Sequence, residues 1–292
     1  MKITTECVPC LLKRIVFEAE QSTKDEEVRT DAIRKACQAL SDYYHPNKCS
    51  ASVATKVHGV AYEALGDEDP YADLKNRSNK IAKTLLPMVK EKIAESDDSL
   101  RESMLCSIVG NLMDFGIAGA STDPEDLEEV FEEIYQQGLC YDDSSEVKKL
   151  LEDSDNVLLF VDNCGEVVFD KLLCEEIKKF NPDVFLTVVV KGTPVLSDAT
   201  FEDAEDIGLT DVADETLTTG CFAVGVDFEG TPKVLQRRLD ESDLIICKGM
   251  ANYEAFSESD YKPIVYLLRT KCNPIASSMD LPQDINAIKM YK

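Results

Sequence analysis

Tryptophan is absent and histidine nearly so: the 292 residues include only His45 and His58. Neither histidine sits in a cluster spaced for metal ligation, so a histidine base is not the favoured route to catalysis. Long apolar runs are also missing. None approaches the roughly 20 residues that span a bilayer, and Lys2, Lys13 and Arg14 flank no apolar core of a secretory leader. A soluble, cytoplasmic protein with no membrane partner is expected. Basic charge is scarce as well: 31 Lys and Arg against 56 Asp and Glu give a net charge of −25. That balance argues against nucleic acid as the main partner. It also argues against an anionic substrate unless a metal or converging lysines supply local positive charge. The cysteine count is odd, at eleven. Several of them lie in apolar or motif segments, which reads as reduced thiols rather than a disulfide framework.

What is present divides the chain in two. Residues 1–150 read as helices. Leu11, Leu12, Ile15 and Val16 form one apolar stripe, and further helices are expected near 31–44, 50–65, 71–95 and 124–137, the last capped by Thr122 or Asp123. Residues 151–292 alternate strand and helix, the pattern of a parallel sheet. The expected fold class is α/β: a Rossmann-like, mainly parallel sheet flanked by helices, with an N-terminal all-helical part packing on it. The second region is the expected metal- and phosphate-binding domain.

Four apolar runs read as buried strands: 157–161, 184–190, 244–247 and 264–268. Each ends in polar residues. Asp162-Asn163-Cys164-Gly165 follows the first, Lys191-Gly192 and then Ser197-Asp198 the second, Lys248-Gly249 the third, and Arg269-Thr270-Lys271 the fourth. If the strands are parallel, these ends share one edge, where open α/β sheets bind ligands. Two hard oxygen donors side by side, Asp162 and Asn163, suit Mg²⁺ or Mn²⁺. Carboxylates for a metal beside lysines for an anion make phosphate handling the economical reading.

Each feature also has an ordinary reading. Asp162-Asn163 could be an Asx turn, and Asp198 the cap of the next helix. Cys7-Val8-Pro9-Cys10 places two thiols three residues apart. They could be structural, a redox pair, or half of a soft-metal site that needs distant partners.

These segments resemble the DUF89 family, also called the damage-control phosphatase or ARMT1-like family. The matching pieces are Cys7-Val8-Pro9-Cys10, Asp69-Pro70-Tyr71 with Lys75, Gly110-Asn111-Leu112-Met113-Asp114-Phe115-Gly116, Asp162-Asn163-Cys164-Gly165-Glu166, Ser197-Asp198-Ala199, Lys248-Gly249-Met250-Ala251-Asn252-Tyr253-Glu254 and Lys271-Cys272. They occur in order over nearly the whole chain, and look most like the shorter, cysteine-bearing prokaryotic branch, archaeal in character. The resemblance implies one divalent metal (Mn²⁺, Co²⁺, Ni²⁺ or Mg²⁺) on Asp162, Asn163 and Asp198. It implies phosphatase activity on small phosphorylated metabolites, either sugar phosphates or damaged cofactor precursors. The family's Lys-Gly segment falls on Lys248 and Gly249, with Asn252 following, and its late basic motif on Lys271.

The expected mechanism has Asp162, Asn163 and Asp198 holding the cation while Lys248 and Lys271 hold phosphate oxygens. Asn111 and Asp114 reach over from the helical part, and either water or Asp162 attacks phosphorus. Two other classes stand beside it. One is an S-adenosylmethionine-dependent carboxyl methyltransferase, weakened because Asn163-Cys164-Gly165-Glu166 has a single glycine. The other is a non-catalytic metal or redox protein centred on Cys7 and Cys10. Oligomeric state is left open.

Overall fold

The computed structural model describes residues 1–111 and 124–292. The helices are α1 (Cys7–Ser22), α2 (Glu26–Tyr43), α3 (Ser50–Leu65), α4 (Ala72–Glu95), α5 (Ser99–Gly110), α6 (Pro124–Gln136), α7 (Ser144–Glu152), α8 (Glu166–Phe180), α9 (Phe201–Asp206), α10 (Lys233–Asp240), α11 (Gly249–Phe256) and α12 (Asn273–Ser278). The strands are β1 (Tyr141–Asp142), β2 (Asn156–Phe160), β3 (Phe185–Val190), β4 (Glu215–Thr218), β5 (Leu244–Lys248), β6 (Ile264–Arg269) and β7 (Asn286–Tyr291). They form one sheet in the order β1-β7-β6-β5-β2-β3-β4. The pairs β2–β3, β2–β5, β3–β4, β5–β6 and β1–β7 are parallel, and β6–β7 is antiparallel.

Apart from Thr187, the four runs are apolar throughout because both sheet faces are covered. Along β2, Val157 and Leu159 enter one core while Leu158 and Phe160 enter the other. β5 repeats this: Leu244 and Ile246 face one way, Ile245 and Cys247 the other. The first core is closed by α4, α5 and α8 through residues such as Leu85, Met104 and Phe169. The second is closed by α10 and α11 through Leu235, Leu239 and Phe256. A third cluster joins α1, α2 and α3 to Val195, Leu196 and Val224. The helical part therefore shares its core with the sheet, and the sheet itself begins at Tyr141, before residue 151.

The chain runs outward from β2 to β3 and β4, then crosses back to β5 on the other side of β2. The order reverses between β2 and β5, which opens a crevice at their carboxyl ends. Residues 72–95 are one helix despite Pro87. Asp198 is not a helix cap; Thr200 caps α9 in a capping box with Asp203. The expected cap at Thr122 or Asp123 lies outside the described residues.

Helix α5 meets α8 closely at Gly110, where an added Cβ would lie 2.4 Å from Phe169 Cδ2 and 3.4 Å from Glu166 Cα. Gly110→Ala should therefore overpack this contact and cost about 1–3 kcal/mol. A urea midpoint equal to that of the unsubstituted protein would show that the two helices separate without cost.

Candidate functional site

The loop after β2 and the loop after β3 are stitched together by backbone. Ala199 N–H donates to Asp162 O at 2.8 Å, and Cys164 N–H to Ser197 O at 2.8 Å. Asn163 and Asp198 thereby face each other across an isolated antiparallel bridge. Gly165, at φ 88°, then turns the chain into α8, and its N–H donates to Asn79 Oδ1 at 2.6 Å. Leu196 holds a left-handed φ of 50°, uncommon for a branched residue; its N–H donates to the Tyr62 hydroxyl at 3.1 Å.

This stitching gathers the expected oxygen donors. Asp162, Asn163, Asp198 and Asn111 are all buried. Asn163 Nδ2 donates to Asp162 Oδ2 at 2.8 Å and Asn111 Nδ2 to the same oxygen at 3.2 Å. Ser197 Oγ donates to Asn163 Oδ1 at 2.7 Å. Asp198 pairs with Lys191 Nζ at 3.2 Å. Asp162 has no ammonium or guanidinium partner among the described residues. Burial, then the charges of Asp198 and Glu166, push its carboxyl well above the usual carboxylate range.

Lys248 does not meet the expectation of a cation aimed into the crevice. It is fully buried, and its ammonium ion-pairs with Glu166, sits 3.2 Å from Asp170 Oδ1 and donates to Ser107 O at 3.0 Å. Burial alone would lower its pKa; Asp170 and Glu166 outweigh burial and hold it above the ordinary lysine value. Burial also pushes Asp170 up to about 6. Glu166 passes the contact forward, since Asn111 Nδ2 donates to it. The sequence reading assigned Glu166 and Asp170 no role. Their signal was available: two carboxylates four residues apart on the buried face of an amphipathic helix require a cation.

Gly249 and Asn252 tie the β5–α11 turn to this cluster. Gly249 has φ +71°, and a Cβ there would fall 1.8 Å from Asp162 Oδ2, so the backbone reaches the carboxylate only because no side chain intervenes. Asn252 Nδ2 donates to Val161 O at 3.0 Å and Lys248 O at 2.8 Å, locking β2 to the β5–α11 turn. Lys271 is half-buried and donates to Asn111 O at 2.6 Å. Asp114 lies outside the described residues.

A cavity of about 370 Å³ opens over this cluster. Asn111, Asp162, Asn163, Asp198 and Lys271 line it; Lys248, Gly249 and Asn252 do not. Helices α1, α3 and α11 form the walls. Cys7 and Cys10 reach the same cavity from the start of α1, beside Cys272. All eleven cysteines are free thiols. Among the described residues, no three or more His, Cys, Asp or Glu side chains are grouped to hold one metal ion. The three thiols are thus not a closed soft-metal site. The β2–β3 cluster offers two carboxylates and an amide oxygen, a hard donor set that leaves positions for water.

Lys248→Met tests the buried role. It leaves Glu166 and Asp170 without their cation and should cost about 3–5 kcal/mol in urea denaturation. A lysine that only held substrate phosphate would leave the midpoint where it is.

Among the described residues, no helix is long and apolar enough to cross a membrane. A family profile described as the damage-control phosphatase ARMT1-like domain matches residues 3–285. A damage-control phosphatase from Archaeoglobus fulgidus is 40% identical over 276 residues, covering 94% of each chain. One from Pyrococcus horikoshii is 31% identical over 284 residues, covering 97% of this chain and 96% of its own. A crystal structure of a DUF89 family protein from Pyrococcus horikoshii superposes with a TM-score of 0.90 over 100% of both chains, at 29% identity. The chain is a phosphatase of the damage-control phosphatase ARMT1-like (DUF89) family.

Proposed function

We propose that the chain hydrolyses small phosphate monoesters with the help of one divalent cation held by Asp162, Asn163 and Asp198. The carrying observation is a charge imbalance. Four buried carboxylates (Asp162, Asp198, Glu166 and Asp170) meet two buried ammonium groups, Lys191 and Lys248. Asp162 and Asp198 both line the cavity; Lys191 pairs with Asp198, and Asp162 has no cationic partner among the described residues. A dication beside Asp162 would offset the repulsion that now raises its pKa. Turned over, the Asn163 amide would present its oxygen toward Asp162, and the Ser197 hydroxyl, both donor and acceptor, can serve either orientation. The donor set is hard oxygen throughout, consistent with Mg²⁺, Mn²⁺, Co²⁺ or Ni²⁺.

Bound there, the cation would neutralise phosphate charge as the phosphorus–oxygen bond breaks. The chain's own residues do the rest. Lys271, Lys13 and Arg14 line the cavity beside Glu6 and Glu254, and supply an acidic protein with local cations for an anion. Asn111 braces Asp162, and water supplies the attacking oxygen. Leu11, Phe17, Ala54, Leu196 and Val224 also line the cavity and exclude bulk water from the remainder. The substrates that fit are compact phosphorylated metabolites, such as sugar phosphates or damaged cofactor precursors.

Chelator-stripped protein should hydrolyse p-nitrophenyl phosphate only after Mn²⁺, Co²⁺, Ni²⁺ or Mg²⁺ is restored. Asp162→Ala should lower turnover by about 10²-fold or more and abolish the Mn²⁺ heat signal in calorimetry. Full turnover by the stripped protein, or full Mn²⁺ binding by the variant, would remove the cation from this site.

A further inference from the structure

One ionisable pair in the cavity wall has no part in the site described above. His58, on α3, is almost wholly buried yet lines the cavity. It shares one helix face with Ser50 and Ala54, spaced four apart, and both also line the cavity. Its Nδ1 lies 2.8 Å from Glu18 Oε1 and 3.0 Å from Oε2. Glu18 is fully buried on α1, where the Tyr71 hydroxyl also donates to it at 3.4 Å. A carboxylate holding Nδ1 fixes ring orientation and tautomer, and offsets charge when both nitrogens carry protons. Nε2 is then the ring's remaining polar atom, on the part of the side chain left to meet the cavity.

The same helix reaches the candidate metal loop. Tyr62 follows His58 by four residues on α3, and its hydroxyl accepts from Leu196 N–H, two residues before Asp198. Four residues of helix advance about 6 Å. The imidazole is thus one helical turn from a contact that fixes the Asp198 loop, and it shares a cavity with Asp162.

We propose that His58, positioned by Glu18, is the general acid that protonates the leaving alcohol, a role that rests on the phosphatase reading above. A water oxygen forms its bond to phosphorus while the phosphorus–oxygen bond to the alcohol breaks. The electron pair of the broken bond stays on the alcohol oxygen, which takes the proton from His58 Nε2. The imidazole is left neutral, with Nδ1–H still on Glu18, and regains its proton from solvent, where the proton of the attacking water is released. The phosphate ester yields one alcohol and one phosphate.

The test is leaving-group dependence in metal-loaded protein. His58→Gln should lower kcat for an alkyl phosphate about 10²-fold or more, because an alkoxide needs the proton. It should change kcat for p-nitrophenyl phosphate only a few-fold, because p-nitrophenolate leaves without one. Glu18→Gln should show the same selectivity to a smaller degree. Equal losses on both esters would reduce His58 to a structural or binding residue, and no loss on either would remove it from the reaction. Failure of the unsubstituted, metal-loaded protein to hydrolyse either ester would sink the metal-dependent monoester reading, and this proposal with it. A second measurement needs no variant. Histidine ring NMR should show two sets of signals, from His58 and the exposed His45. Inorganic phosphate added with Mg²⁺ should shift His58 and leave His45 in place; an unmoved His58 would place it out of reach of the phosphate.

Discussion

Everything at the candidate site depends on the backbone pairing between the loops after β2 and β3. Two hydrogen bonds, from Ala199 to Asp162 and from Cys164 to Ser197, force Asn163 and Asp198 into opposition. Left to themselves, buried carboxylates would separate, because each resists both burial and the other's charge. The main chain denies them that freedom, and Leu196 in a left-handed conformation is part of the same constraint. Lys191 compensates Asp198 from one side. Behind Asp162, Asn111 and Glu166 connect to Lys248, so the second charge layer is stabilised by an ammonium that never reaches the cavity. The protein thus holds a concentrated negative charge in place by separate means for each carboxylate, and Asp162 has no cationic partner among the described residues.

Much of this was legible in the chain itself. β2, β3, β5 and β6 could be read because a strand covered on both faces is apolar without interruption, and their shared direction followed from the intervening helices. The donors Asp162, Asn163 and Asp198 stood out as polar residues directly after such runs. The edge strands β1 and β4, and β7 beside β1, were not legible. β1 has two residues, β4 is the polar run Glu215–Thr218, and β7 alternates at its exposed end, so none has a continuous apolar signature. Lys248 was seen, but its direction was not. A lysine at a strand end can extend into a crevice or fold against a helix, and only the placement of Glu166 and Asp170 decides between them. His58 has no neighbour along the sequence that marks it as part of a site. Its partner Glu18 lies forty residues away, and the pair exists only because α1 packs across α3.

The strong acidity of the chain and an anionic substrate are compatible once range is considered. At physiological ionic strength charges more than about 8 Å apart are largely screened, so the acidic exterior weakly opposes approach and has little influence inside the cavity. There the relevant charges are few and near: Lys271, Lys13 and Arg14 on the lining with Glu6 and Glu254 among them, and the carboxylates of the floor. Low local dielectric strengthens those short contacts. It also makes the floor repel a phosphate unless a cation stands between them. With the proposed cation at Asp162, the arrangement would couple substrate binding to cation binding, since neither the bare carboxylates nor the cations of the lining alone favour an ester phosphate there. A phosphate that entered without the cation would meet Asp162 directly, whereas a cation without the phosphate would keep water in its open positions. The recessed floor and the apolar part of the lining make that distinction sharp, because they leave little room for bulk solvent to blur it.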